Sequence, residues 1–111
     1  MVDNSFPKGN RLRGGKEFSR VYKEGEKHER DNFVFYLLER DGEEPRIGIV
    51  TPKSLGTAVE RNRIKRIIRE NFRKNKRTFD GYDMIVEPRQ KAKDMNNTAL
   101  GERFLKEFPA H

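Results

Sequence analysis

The run Phe33 to Leu38, FVFYLL, constrains this chain more than any other segment. Aromatic and branched residues dominate it, which marks a strand, and successive strand side chains point to opposite faces. Phe33, Phe35 and Leu37 therefore share one face, and Val34, Tyr36 and Leu38 the other. Both faces are apolar, so both have to be at least partly covered. A helix packed on one side accounts for only half of this.

Periodicity and punctuation place the remaining elements. Lys16 to Glu24 sets Phe18, Val21 and Tyr22 at i, i+3 and i+4, one face of a short amphipathic helix that Gly25 closes. Asp41-Gly42 offers turn chemistry before a second strand, Arg46 to Thr51, which predicts an antiparallel pair with the first. Thr57 and Glu60 match the S/T-x-x-E capping box, so a long helix starts at Ala58 and runs to about Lys74. Tyr82 to Glu87, ended by Pro88, is a third strand, and Asn97 to Phe108 a last helix with Leu100, Phe104, Leu105 and Phe108 on one side. This order suits a two-layer α/β (α+β) domain, with about three helices against a small mixed sheet. At 111 residues the chain is expected to form a single domain over 11–111, after a flexible lead-in over 1–10 that closes on Gly14-Gly15.

Hydrophobic residues make up 32% of the chain and charged residues 39%, a balance compatible with folding only because the apolar positions are clustered. The formal net charge is +7, from 25 Lys and Arg against 18 Asp and Glu, which points to a polyanionic partner. No apolar run approaches the roughly 20 residues of a membrane span, no lipidation motif is present, and Met1 to Asn10 is too polar for a secretory signal. A cytoplasmic protein with no membrane partner is expected. Without cysteine there are no disulfides or thiolate sites, and His28 and His111 alone do not suggest a metal centre. Glu60, Glu70, Asp80, Asp83 and Glu87 are scattered among bases, so no catalytic carboxylate pair and no stably bound metal is expected.

Arg61 to Arg77 holds nine basic residues and one acid, Glu70, and so carries +8, more than the whole chain. On a wheel of about 100° per residue, Ile64, Ile67, Ile68 and Phe72 form an apolar stripe, while Asn62, Lys65, Arg66, Arg69 and Arg73 fall on a separate arc. A charge run is most often a solvated face. A solvated helix, however, gains from acids placed four residues before bases, whereas Lys65, Arg69 and Arg73 repel one another. Such repulsion is tolerated where an anion neutralises it, and phosphate is the expected anion. The prevalence of arginine suits bidentate phosphate contacts. A DNA-reading helix-turn-helix would need a second helix just before Thr57, where a strand and loop are read instead. RNA fits better, with Phe18, Tyr22 and Tyr36 as candidates for a stacking platform. Core packing is the alternative for these three aromatics, and Phe33 and Phe35 belong to the core.

The segment Gly56-Thr57-Ala58-Val59-Glu60-Arg61-Asn62-Arg63-Ile64-Lys65-Arg66-Ile67-Ile68-Arg69-Glu70-Asn71-Phe72-Arg73 closely resembles the signature of the bacterial ribonuclease P protein family, whose hallmark is Arg-Asn-Arg, then Lys-Arg and a further Arg. Arg11-Leu12-Arg13 followed by Phe18, Tyr22 and Gly25, then Phe33-Val34-Phe35-Tyr36, Arg46-Ile47-Gly48-Ile49, and Tyr82 to Val86 leading to Pro88-Arg89, extend the resemblance over residues 11–108. It implies a sandwich similar to a ribosomal-protein domain, with a left-handed βαβ crossover through the basic helix and a further short strand near Glu26 to Arg30. Handedness of that kind runs against the default and is not readable from pattern.

By the same resemblance the protein is a subunit of an endoribonuclease that removes the 5′ leader of precursor tRNA, with catalysis and magnesium carried mainly by the RNA subunit. The set facing the catalytic RNA would be Arg61, Asn62, Arg63, Lys65, Arg66 and Arg69, to which the helical arc adds Arg73. A cleft between the first helix and the sheet would take the single-stranded leader, with Phe18, Tyr22, Tyr36 and Lys53 in it. A monomeric protein in a 1:1 ribonucleoprotein is implied. The chain departs from the family at Pro52-Lys53-Ser54 and Gly56-Thr57, where Ser-Lys-Lys and Gly-Asn are usual; Pro52 removes a backbone donor and Ser54 a charge. A noncatalytic binder of structured RNA is the alternative, and a dimeric DNA-binding regulator ranks behind it because no dimerisation seam is visible.

Overall fold

Residues 10–41 and 44–109 are described by a computed structural model. In chain order the elements are α1 (Gly14–Glu24), β1 (Glu26–Glu29), β2 (Phe33–Glu39), β3 (Arg46–Ile49), α2 (Ala58–Lys74), β4 (Tyr82–Pro88) and α3 (Asn97–Glu107), with short 3-10 turns between them. The strand order is β1-β2-β4-β3; β1/β2 and β2/β4 are antiparallel, and β3/β4 is parallel. The short strand implied by the resemblance is thus present as β1.

The expected antiparallel pairing of Arg46–Thr51 with the first strand is not formed, because β4 lies between them. Asp83, Met84, Ile85 and Val86 are buried in succession, so β4 needs a neighbour on each side and a cover on each face. β3, four residues long and half-buried at both ends, takes the edge. The long connection through α2 lets β3 and β4 run parallel, which a tight turn could not.

Phe33, Phe35, Leu37, Ile47, Met84 and Val86 pack beneath α2 and α3, meeting Ile64, Ile68, Phe72, Leu100 and Phe104 in one core. Phe79, unremarked in the sequence, sits at its centre, with its ring centroid 4.7 to 5.5 Å from those of Phe108, Phe72 and Phe104. Tyr36, Leu38 and Ile85 point the other way, against Leu12, Phe18 and Val21. The second cover demanded by β2 is therefore α1. The two-layer description holds for the larger side of the sheet, and α1 adds a partial layer opposite.

Local chemistry sets the helix starts. Glu60 N donates to Thr57 Oγ1 at 3.1 Å and Thr57 N to Glu60 Oε1 at 2.8 Å, completing the capping box. Asn96 caps α3 by accepting from Ala99 N at 2.8 Å. The N-terminal boundary moves: Leu12 N donates to Ile47 O, and Asn10, buried, donates from Nδ2 to Pro45 O at 2.7 Å, so the fold is under way before Gly14-Gly15. The rest of the expected lead-in, residues 1–9, lies outside the described residues.

One buried acid organises the end of the sheet. Asp83 accepts from Arg46 Nε at 2.9 Å and Nη2 at 2.7 Å, with Arg40 Nε at 3.3 Å. Arg46 Nη1 also reaches Glu17 Oε2 of α1 at 2.9 Å. The hydrogen bond to Asp83 raises the Arg46 pKa above its ordinary value. Asp83→Asn should lower stability by about 3 kcal/mol, because it leaves two poorly solvated guanidinium groups without their carboxylate. Urea unfolding checks this; an unchanged midpoint would exclude a structural role for the cluster.

Candidate nucleic-acid interface

α2 buries Ile64, Ile67, Ile68 and Phe72 and turns its cations outward. The expected RNA-facing residues divide into two groups. Arg61 Nε donates to Gly56 O at 3.2 Å, and Arg63 donates to Asn97 Oδ1 at 2.7 Å and Lys93 O at 3.1 Å, which ties α2 to the start of α3. Arg66 is exposed, and its guanidinium lies 3.6 Å from Glu70. The side chains of Asn62, Lys65, Arg69 and Arg73 make no hydrogen bond or ion pair among the described residues. Three of these are cations at i, i+4 and i+8, so they lie in a row on one face.

Arg69 is the most enclosed of the row. It borders a small pocket of about 160 Å³ with Arg11 and Phe18, and burial, then the Arg11 charge, lower its pKa. A partly desolvated guanidinium beside a second cation favours any anion able to reach both.

A larger groove, with a cavity volume of about 980 Å³, opens on the sheet face that α1 covers only in part. Val34 and Tyr36 of β2 and Glu87 of β4 contribute to it, together with Pro52 and Ser54 from the turn after β3. Lys27 and Arg89 add cations, both paired with Glu29, at 3.8 and 2.9 Å. Tyr22 meets Tyr36 edge to face at 4.8 Å between centroids and remains 41% exposed, and Lys27 Nζ stands 5.9 Å from the centre of the Tyr36 ring. Burial, then the Glu87 carboxylate, then Tyr36 raise the pKa of the Tyr22 hydroxyl. It therefore remains a neutral donor at physiological pH.

Of the expected cleft residues, Tyr36 lines this groove and Tyr22 packs on Tyr36. Phe18 belongs to the smaller pocket, where it rests on Gly48; a Cβ there would lie 2.4 Å from Phe18 Cζ. Lys53 is exposed on the turn, and its neighbours Pro52 and Ser54 line the groove rather than Lys53 itself. Val34 was legible as a same-face neighbour of Tyr36. Glu87 was not, because its place depends on the pairing Val34↔Glu87 between strands far apart in sequence.

Among the described residues no three His, Asp or Glu side chains are grouped so as to hold a metal, and no helix is long and apolar enough to cross a membrane.

An α/β domain with an unpaired cationic row on one helix and a tyrosine-bearing groove on its sheet defines an RNA-binding protein. Residues 6–108 match the family model for ribonuclease P. The ribonuclease P protein component of Staphylococcus epidermidis is 46% identical over 94 residues, covering 84% of this chain and 82% of that protein. That of Pseudomonas aeruginosa is 35% identical over 108 residues, covering 96% and 80%. Among solved structures, the Staphylococcus aureus RNase P protein superposes with a TM-score of 0.81 at 38% identity, covering 93% of this chain and 98% of that one. The RNase P protein from Thermotoga maritima gives 0.78 at 33% identity, covering 86% and 92%. The chain belongs to the ribonuclease P protein family. Its role is that of the protein subunit of this endoribonuclease, in a ribonucleoprotein that processes the 5′ leader of tRNA.

The division within α2 is open to test. Replacing Lys65, Arg69 and Arg73 together by Ala should reduce the slope of log affinity for RNA against log salt by about 2 to 3, measured by fluorescence anisotropy across a potassium chloride series. Arg63→Ala should instead lower folding stability by about 1 kcal/mol through its lost hydrogen bonds, measured by urea unfolding. Equal salt slopes for the triple variant and the parent would show that the row does not meet phosphate.

Proposed function

We propose that the chain joins the catalytic RNA of ribonuclease P through the free face of α2, and that the groove beside Tyr22 and Tyr36 receives the single-stranded 5′ leader of precursor tRNA. The observation that carries this is the cationic row, Lys65, Arg69 and Arg73, left without internal partners in a helix whose other arginines are engaged. Unpaired cations screen phosphates that would otherwise repel as two RNA molecules approach. The groove offers what a single strand needs: an aromatic face for a base, edge donors, and cations for the backbone. The protein would act as a monomer, one per RNA, in the cytoplasm.

Chemistry at the scissile phosphate falls to the RNA in this proposal, with magnesium held mainly there. The chain itself would bind, orient and screen.

Cleavage of a precursor tRNA by a bacterial ribonuclease P RNA at low magnesium tests the proposal. The protein should restore cleavage, and the Lys65, Arg69 and Arg73 triple Ala variant should restore it poorly. Tyr36→Ala should raise KM about tenfold for a substrate with a long leader, as expected from the loss of one stacked base, and leave a one-nucleotide leader unaffected. Equal effects of Tyr36→Ala on both substrates would remove the leader from the groove.

A further inference from the structure

Four acids line the groove, Glu29, Asp31, Glu87 and Glu107; Glu29 and Glu107 are paired with cations and Asp31 is exposed, which leaves Glu87 as the half-buried one without a partner among the described residues. It stands opposite Val34 in the β2/β4 register, on the same face as Tyr36, and is half-buried. Its carboxylate makes no hydrogen bond or ion pair among the described residues, while the nearby cations Lys27 and Arg89 are both taken by Glu29. It lies close enough to Tyr22 for its charge to act on that hydroxyl.

A carboxylate repels phosphate and only accepts hydrogen bonds. A strand entering the groove therefore has to keep its backbone near the lining cations, Lys27, Arg30, Arg89, Lys91 and Arg103, and turn a base towards Glu87. In an unpaired nucleotide the Watson–Crick edge is free. Guanine presents two adjacent donors there, N1–H and N2–H, which match the two oxygens of a carboxylate. Adenine and cytosine present one amine beside a ring acceptor, which would face the second oxygen. Uracil presents a single N3–H flanked by two carbonyls and fits worst.

We infer that Glu87 is a specificity-determining residue, which reads the Watson–Crick edge of one leader base, prefers guanine and disfavours uracil. This rests on the leader occupying the groove. Glu87→Gln keeps the shape but offers one acceptor and one donor, which no longer matches the two donors of guanine and can pair with a donor–acceptor edge on any of the four bases, so the preference for guanine over uracil should be lost.

The test uses the whole ribonucleoprotein and precursor tRNAs in which each leader position carries each of the four bases in turn, with kcat/KM measured in competition. A substrate with a one-nucleotide leader serves as control. At one position guanine should exceed uracil by roughly fivefold or more. Glu87→Gln should abolish that ratio, and both proteins should cleave the control equally. If long leaders raise kcat/KM over the control but no base preference responds to Glu87→Gln, the inference is wrong and the groove assignment stands. If long leaders confer no advantage with the parent protein, the groove assignment fails and the inference with it.

Discussion

The middle of β4, Asp83 to Val86, has water on neither face, and the remainder of the domain is arranged to keep it so. Asp83 to Val86 are buried in succession, flanked by β2 and β3 and covered from both sides. An acid within such a strand has to be paired, because an unpaired buried charge is far more costly than any hydrogen bond it forgoes. Asp83 is accordingly held by Arg46 and Arg40. Arg46 also reaches Glu17, so the demand of one buried carboxylate fixes the start of α1 on the face of the sheet that Asp83 shares with Leu38 and Ile85. From there the helix carries Tyr22 onto Tyr36, and the groove acquires its tyrosine pair.

α2 answers two requirements with its basic residues. Arginines at its beginning close the structure: Arg61 bonds the preceding turn and Arg63 bonds the segment leading into α3. Further along, Lys65, Arg69 and Arg73 repel one another with no acid to relieve them, a strain on the isolated protein that a polyanion removes. Asn71 belongs to neither group. It donates to Ile67 O at 2.8 Å and lies so close to Gly101 that a Cβ there would meet its Nδ2 at 2.4 Å, which brings α2 and α3 together over Phe72 and Phe104. The apolar stripe places the helix, and the cations decide what it meets.

Much of this was legible in the chain itself. The period of two in Phe33 to Leu38 required covers on both faces, and α2 with α3 on one side and α1 on the other supply them. The capping box set the start of α2 at Ala58, and the wheel separated its stripe from its arc, because both are encoded within a few consecutive residues. The run through Arg61-Asn62-Arg63 was specific enough to indicate the family. At the level of single side chains the same segment was silent, since an arginine that clasps Asn97 and one that is free look alike in sequence.

Sequence alone therefore determined the elements other than β1, their polarity, the cationic face and the kinship, all of which depend on short-range order and charge. Tertiary structure alone decided that β4, not β3, pairs with β2, since sheet order follows from which strand gains most by losing water on both faces. With that exchange came the pairing of Val34 with Glu87, which sets a carboxylate in the groove. It likewise decided that Phe18 settles on Gly48 while Tyr22 reaches Tyr36. Contacts between residues tens of positions apart depend on the shape of the whole core, and no local period records them.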